Sequence, residues 1–403
     1  MEGTAMRSIV GIVLLLLASR TTIAGYVYVT NSPDTENVTI SGYTGTPVDL
    51  DIPLTNADGK FVTRIGDSAF MNSVLKSVVI TNVVTNIGPS AFRSCSFITN
   101  AVIGSNVSSI SEFPFRTATN LLAITVDENN ASYCSTNGWL LSKDKTVFVQ
   151  CPGGWFGELK IPNGVTCILE RAVTYSVNIT NLVFPETVTS ILGNNAVASC
   201  KHLYNLTFPK GITSITGTYL VGWCTSLTNV TLFDGITNLG SLTFYGCTNL
   251  KTAVLPNTLT YLSYGMFAEC STLTNVVLPL NVTTFGEYSV TEPPPVTTNG
   301  TMRDWGVSFG YCNKLTSEII PVGVTSLCES TFINCYAMTG IYFRGNAPWL
   351  GTNAFKNCTN ATVYRLPGST GFGTNFGGRP VNIWAVPHGN WRGTFDDMYF
   401  SGN

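Results

Sequence analysis

The chain has 403 residues and a formal net charge of −2, and only 11% of its residues are charged, against about 25% in an ordinary soluble domain. No Lys/Arg cluster exists to neutralise phosphates, which argues against nucleic acid and against an anionic membrane surface as partners. Thr and Asn carry much of the polarity instead.

The N-terminus, MEGTAMRSIVGIVLLLLASRTTIAGY, places Arg7 before an apolar run from Ile9 to Ala18 and small residues up to Ala24. This is the order of a secretory signal, so residues 1–24 are read as one, cleaved after Ala24, with Met6 an alternative start. A retained anchor fits less well, because the apolar run is about half of the ~20 residues that span a bilayer. No membrane span is expected after cleavage.

From Phe61 onward the sequence repeats itself. The phrase V-T-x-I-x-x-x-A-F-x-x-C-x-x-L-T-x-V-x-L-P starts at Val84, Val107, Val165, Val188, Ile212, Ile236, Leu259, Val282 and Val324. A unit in the same phase, Phe61 to Val83, comes first, and a partial one follows from Thr352. The spacing is 22 to 24 residues wherever nothing is inserted. Each unit holds an alternating segment such as Leu227-Thr-Asn-Val230-Thr-Leu232, whose period of two describes a strand with one buried face. A Pro or Gly turn follows, and then an Ile-Gly-x-x-Ala-Phe segment that reads as one helical or 3₁₀ turn. A single unit cannot bury its own apolar side chains, but stacked units share a core. The expected fold is therefore a solenoid of stacked units, with a parallel β-sheet on the concave side and short helical or 3₁₀ turns on the other.

Two insertions interrupt the period, at about 127–161 and 289–307. The first contains Trp139, the turn Ser142-Lys-Asp-Lys145 and Pro152-Gly-Gly-Trp155-Phe156, and predicts a hairpin from Trp139 to Gln150. The second contains Glu292-Pro-Pro-Pro295, Asn299-Gly and Trp305. Long insertions in short-looped solenoids are common binding places, and Trp139, Trp155 and Trp305 would supply apolar area for a ligand.

The stretches VTRIGDSAF (Val62 to Phe70), VTNIGPSAFRSC (Val84 to Cys95) and ITNLGSLTFYGCTNL (Ile236 to Leu250) resemble the BspA-like, treponemal-type leucine-rich repeat family. The likeness runs from about Val38 to Trp384. It implies an N-terminal β cap within residues 25–60, carried by VTISGYTGTPVDLDIP, and a leucine-rich-repeat solenoid over 61–384. NGWLLSKDKTVFVQCPGG is similar to an expanded unit of that family, and Asn353 to Trp384 to the ending of some bacterial members. Ala385 to Asn403 is left as an irregular tail, and LPGSTG at Leu366 to Gly371 only resembles a sortase sequence. For function the resemblance implies an exported or surface-exposed interaction protein, with adhesion attributed to some members.

Cysteine usage points the same way. Of 12 Cys, eight (Cys95, Cys200, Cys224, Cys247, Cys270, Cys312, Cys335 and Cys358) fall in one repeat column, where other units place Ser73, Ala118 and Ser176. A column that accepts Cys, Ser or Ala is a small core position, since a metal ligand would not survive replacement by Ala. Cys134 and Cys151 lie outside it, flank the expected hairpin, and are the disulfide candidates in an oxidising compartment.

Catalytic patterns are thin. The two His, His202 and His388, lack convincing partners for a nucleophile triad. The Gly-rich run Gly371 to Gly377 departs from a phosphate cradle, and Asn56-Ala-Asp58-Gly59 lacks the downstream Glu of a calcium loop. Glu158, Glu170, Glu269 and Glu318 are isolated in their units, which leaves a glycosidase pair as a minor alternative. Glu318 stands where Val230 and Val276 point inward, so either the unit is locally bulged or Glu318 has a buried partner, and a register slip is expected rather than a catalytic acid.

The outward strand positions form two columns. One contains Asn205, Asn229 and Asn275, and the next contains Thr207, Thr231 and Tyr342. These side chains are uncharged, and β-propensity alone also explains them. Ten N-x-S/T sequons, Asn205/Thr207 and Asn229/Thr231 among them, follow from the same strand period.

The sequence thus reads as a secreted or cell-surface, non-enzymatic recognition and adhesion protein. It would bind an extracellular protein or glycan ligand through Asn205, Thr207, Asn229, Thr231, Asn275, Tyr342, Trp139, Trp155 and Trp305, with no cofactor and no metal. The alternatives are a structural spacer of a cell-surface layer and, less well supported, a carbohydrate-active hydrolase.

Overall fold

The computed structural model describes residues 25–111, 113–287 and 308–384. Each repeat forms one coil of a β-solenoid with about 13 turns. The alternating segments become parallel strands stacked in register: Asn205, Leu206 and Thr207 lie beside Asn229, Val230 and Thr231. In each of these strands the middle residue is buried and its neighbours are exposed, which is the face alternation that the period of two requires. This ladder runs in three stretches, from Asp49–Asp51 to Ala123–Val126, from Phe156–Lys160 to Asn275–Val277, and from Ser317–Ile320 to Arg379–Ile383.

A second parallel ladder, not expected from the sequence, is made of very short strands such as Asn86–Ile87, Ser190–Ile191 and Ser326–Leu327. Antiparallel strands close the described solenoid at both ends: Gly25–Thr30 pairs with Asn37–Thr44, and Asn375–Phe376 with Arg379–Ile383.

The third side of each coil departs from expectation. No α- or 3₁₀-helix occurs among the described residues. Instead each turn holds residues in the left-handed region four positions apart, as at Ser68 and Asn72, Ser90 and Ser94, or Ser330 and Asn334. A left-handed residue interrupts a right-handed helix. The amides then alternate in direction. Ala69, Met71 and Ser73 donate within the turn, to Gly66, Ser68 and Phe70, while Ser68, Phe70 and Asn72 donate to Pro89, Ala91 and Arg93 of the next coil. Bonding to the neighbouring coil thus takes the groups that a helix would use internally.

The interior is a stack of equivalent side chains. Phe70, Phe92 and Phe115 stack with centroids 5.2 Å apart, and Phe244, Phe267, Phe309, Phe332 and Phe355 form a second stack with spacings of 5.2 to 6.1 Å. These distances follow the strand separation of about 4.8 Å. Between the two stacks the column holds Val173, Val197 and Val221.

The first insertion folds as expected into a hairpin, Trp139–Ser142 against Val147–Gln150, with Tyr133–Thr136 antiparallel on its other side. Val147–Gln150 then joins the short-strand ladder beside Cys167–Ile168. The hairpin also divides the core: Leu140 packs into the N-terminal cluster, and Trp139 and Leu141 into the C-terminal one.

Candidate recognition surface

The long-strand face collects most of the residues expected to touch a ligand. Asn205, Thr207, Asn229, Thr231 and Asn275 are all exposed; Asn205 and Thr207 stand in register with Asn229 and Thr231 on the adjacent strand, and Asn275 lies two strands further on, beyond Thr252–Val254. The Asn229 amide Nδ2 donates to Asn205 Oδ1 at 3.2 Å, and Asn181 Nδ2 donates to Glu158 Oε2 at 2.9 Å. Val254 is 57% exposed beside these amides and hydroxyls. At the N-terminal edge Asp49 and Asp51 face outward, as charged residues often do on an edge strand.

Tyr342 stands at the opposite end and is not alone. Its ring stacks on Tyr364 of the next strand, with centroids 4.7 Å apart and planes 10° apart. Trp384 comes within 5.0 Å of the Tyr342 ring. Room for this arrangement is made at Gly340, where a Cβ would stand 2.5 Å from the Tyr342 ring. Sequence reasoning stopped one coil early and missed Tyr364, although it occupies the column of Tyr342. Burial raises the Tyr342 phenol pKa above its ordinary value, so it stays a neutral hydroxyl at physiological pH.

The tryptophans of the insertions behave differently. Trp139 is 4% exposed and packs edge-on against Trp155 at 5.0 Å, so it serves the core and offers no ligand surface. Its position in the hairpin strand, with the side chain turned into the C-terminal cluster, decides this. Trp155 is half-buried and its Nε1 donates to the Glu158 carbonyl at 3.2 Å. Trp305 lies outside the described residues, as do residues 1–24, read above as a signal, the whole second insertion at 289–307, and the tail from Ala385.

The disulfide expected between Cys134 and Cys151 is not formed, and both keep free thiols. Strand Trp139–Ser142 stands between the strand of Cys134 and the one that leads into Cys151. Two strand spacings of about 4.8 Å exceed the reach of a disulfide. The Cys134 thiol lies on the Ser142 carbonyl at 3.2 Å instead. All eight cysteines of the repeat column are buried, and each thiol donates to a main-chain carbonyl of the preceding coil at 3.0 to 3.3 Å.

The register slip expected at Glu318 does not occur. Ser317–Ile320 pairs regularly with Gly340–Phe343, which turns Glu318 inward with 4% exposure. Its Oε1 accepts from the Ile319 amide at 3.3 Å, and Oε2 is buried with no hydrogen-bond partner. Desolvation raises its pKa well above the usual carboxylate value. The other carboxylates weighed for catalysis sit in separate coils: Glu170 contacts Arg171 at 3.2 Å, Glu158 holds Asn181, and Glu269 accepts from the Tyr245 hydroxyl. His202 is exposed on a turn, with Nδ1 at 2.6 Å from the Val177 carbonyl.

A model of the BspA type leucine rich repeat region matches the chain in six copies, over residues 55–137, 144–219, 166–293 and 306–375. Among solved structures, a leucine-rich repeat protein from Eubacterium ventriosum is 19% identical with a TM-score of 0.52, covering 84% of this chain and 94% of its own. A leucine rich cell surface protein from Faecalibacterium prausnitzii is 21% identical with a TM-score of 0.49, covering 87% and 97%. No curated protein matches the chain.

Proposed function

The chain belongs to the BspA-type leucine-rich repeat family, and from that premise we propose that it is a non-enzymatic, secreted or cell-surface recognition protein. Its long-strand face would grip an extracellular protein or glycan. The observation that supports this reading is the exposed, uncharged face itself, which runs from Asn205 and Thr207 through Asn229, Thr231 and Asn275 toward the Tyr342–Tyr364 stack. In-register strands hold these side chains at fixed spacing, so a bound polymer would meet a preorganised row of amides, hydroxyls and apolar groups. Rigid aromatic rings at one end would supply the buried anchor that such a surface needs.

The surface location rests on the N-terminal leader read from the sequence. No helix among the described residues is long and apolar enough to cross a membrane. The test is a binding screen of the full chain against immobilised matrix glycoproteins and glycans, beside a variant carrying Asn229→Arg and Thr231→Arg. Saturable binding that the double substitution abolishes would support the reading. Binding unaffected by it, or none to any surface, would favour another face or the spacer role.

A further inference from the structure

Because the coils repeat, each one is a control for its neighbours. On the turn face, the left-handed residue just before the cysteine column is short and polar in most coils, as with Asn72, Ser94, Thr117, Ser199, Asn334 and Asn357. Five coils break this rule: one with Tyr175, whose ring carries the Arg116 guanidinium at 5.7 Å, and then four in succession with Trp223, Gly246, Glu269 and Tyr311. The main chain of these four does what that of Asn72, Ser94, Ser199 and Asn334 does. Trp223, Gly246, Glu269 and Tyr311 donate to Tyr245, Ala268, Gly310 and Ile333 of the next coil at 2.7 to 2.9 Å. Since Ser and Asn suffice for that bonding elsewhere, the fold gives no reason for an indole, a carboxylate and a phenol here.

These side chains are arranged as a shelf. Tyr219 stacks on Trp223 with centroids 4.6 Å apart and planes 16° apart. Tyr245 stands edge-on to both rings, at 5.7 and 5.3 Å. Its hydroxyl donates to Glu269 Oε1 at 2.6 Å, which fixes the carboxylate beside the rings. The indole overhangs the next coil because Gly246 has no side chain: a Cβ there would stand 3.0 Å from Trp223 Cδ1. Trp223 is 38% exposed and Tyr311 41%. Three coil steps of about 4.8 Å put their backbones about 14 Å apart along the solenoid axis, enough for a short chain of sugars. Burial, with Glu269 nearby, pushes the Tyr219 phenol up to about 12, so it stays a neutral hydroxyl.

We propose that Trp223, Glu269 and Tyr311, backed by Tyr219, form a second binding site, separate from the long-strand face, for an extended neutral glycan. The flat apolar rings match the C–H faces of pyranose rings. The oriented carboxylate accepts sugar hydroxyls, and its charge disfavours uronic or sulfated chains. A peptide would also find apolar area here, but nothing in the patch offers the unpaired strand edge or deep pocket by which peptides are usually held.

The experiment is isothermal titration of the full chain with neutral hexasaccharides of β-1,3-linked glucose, β-1,4-linked glucose and α-1,6-linked mannose, beside a polygalacturonate hexamer as the anionic probe. At least one neutral chain should bind, with Trp223→Ala weakening it about tenfold or more. Trp223→Phe should retain most of the affinity, which separates ring stacking from misfolding, and Glu269→Gln should weaken binding without shifting the thermal midpoint. The long-strand variant Asn229→Arg should leave this binding unchanged, so failure here and failure of the long-strand reading can be told apart. The proposal is overturned if no neutral chain binds, if the anionic hexamer binds better, or if Trp223→Ala binds as the wild type does. Binding at this patch to a matrix glycoprotein stripped of its glycans would overturn it too, in favour of a protein partner.

Discussion

The thiol of Cys270 donates to the main-chain carbonyl of Phe244, one coil back, at 3.1 Å. The same carbonyl accepts the amide of Cys247 within its own coil at 3.2 Å. Each cysteine of the column therefore ties its coil to the preceding one through an acceptor already used in the turn. A hydroxyl on the shorter C–O bond reaches less far than a thiol; at Ser176, in the same column but next to the inserted hairpin, the side-chain oxygen is buried with no hydrogen-bond partner.

Replacing Cys270 should show this ranking. Cys270→Ala should cost about 1 kcal/mol for the lost hydrogen bond, and Cys270→Ser about 1–3 kcal/mol for a stranded hydroxyl. Urea unfolding measures both, and a serine variant as stable as the wild type would contradict the account. In the native chain the column thiols should also resist a thiol reagent at pH 8, since burial raises most of their pKa values, that of Cys95 to about 11.

Glu318 should make stability fall as pH rises. Its folded pKa lies well above the ordinary value, so the folded state holds the proton more tightly than the unfolded one. Its relative contribution is most favourable below the unfolded pKa of about 4.3 and is lost progressively as pH climbs toward the folded value. Restoring the apolar residue of the repeat, Glu318→Val, should add about 1–3 kcal/mol at pH 7 by removing a buried oxygen without a partner. It should also flatten the pH profile above pH 4.3. Thermal melts from pH 4 to 8 on both proteins test this, and parallel profiles would refute it.

Gly217 should tolerate no side chain. A Cβ there would run into the carbonyl of Gly193 in the coil before, and one at Gly240 into the carbonyl of Gly217. These contacts are with backbone, which cannot swing aside as a side chain would. Gly217→Ala should therefore destabilise the protein by about 1–3 kcal/mol or more. An alanine variant with an unchanged melting temperature would show that the coils are less closely stacked.

Ligand binding at the long-strand face should depend little on salt. Asn205, Thr207, Asn229 and Thr231 carry no charge, so raising NaCl from 50 to 500 mM should change affinity by less than about threefold. Gly340→Ala should weaken the same binding by displacing the Tyr342 ring from its place against the strand, with little loss of stability because that ring is on the surface. A steep salt dependence measured by surface plasmon resonance would point instead to a charged face.

The sequence by itself determined the solenoid, its period, and which columns are buried. In a stack of equal coils, spatial neighbours lie one period apart, so a core contact such as Cys270 with Phe244 recurs as a visible letter column. Tertiary structure decided whatever breaks or lies between those columns. Strands as short as Ser190–Ile191 leave no readable periodicity, and the alternation of left- and right-handed residues that replaces a helix depends on hydrogen bonds from the next coil. Insertions remove the fixed offset altogether, which is why the burial of Trp139 and the separation of Cys134 from Cys151 could be read only from the folded hairpin. The turn-face group of Trp223, Glu269 and Tyr311 was hidden for the opposite reason. Its members share one column, just before the cysteines, but the letter changes from coil to coil, and only the contacts among Tyr219, Trp223, Tyr245 and Glu269 make them a group.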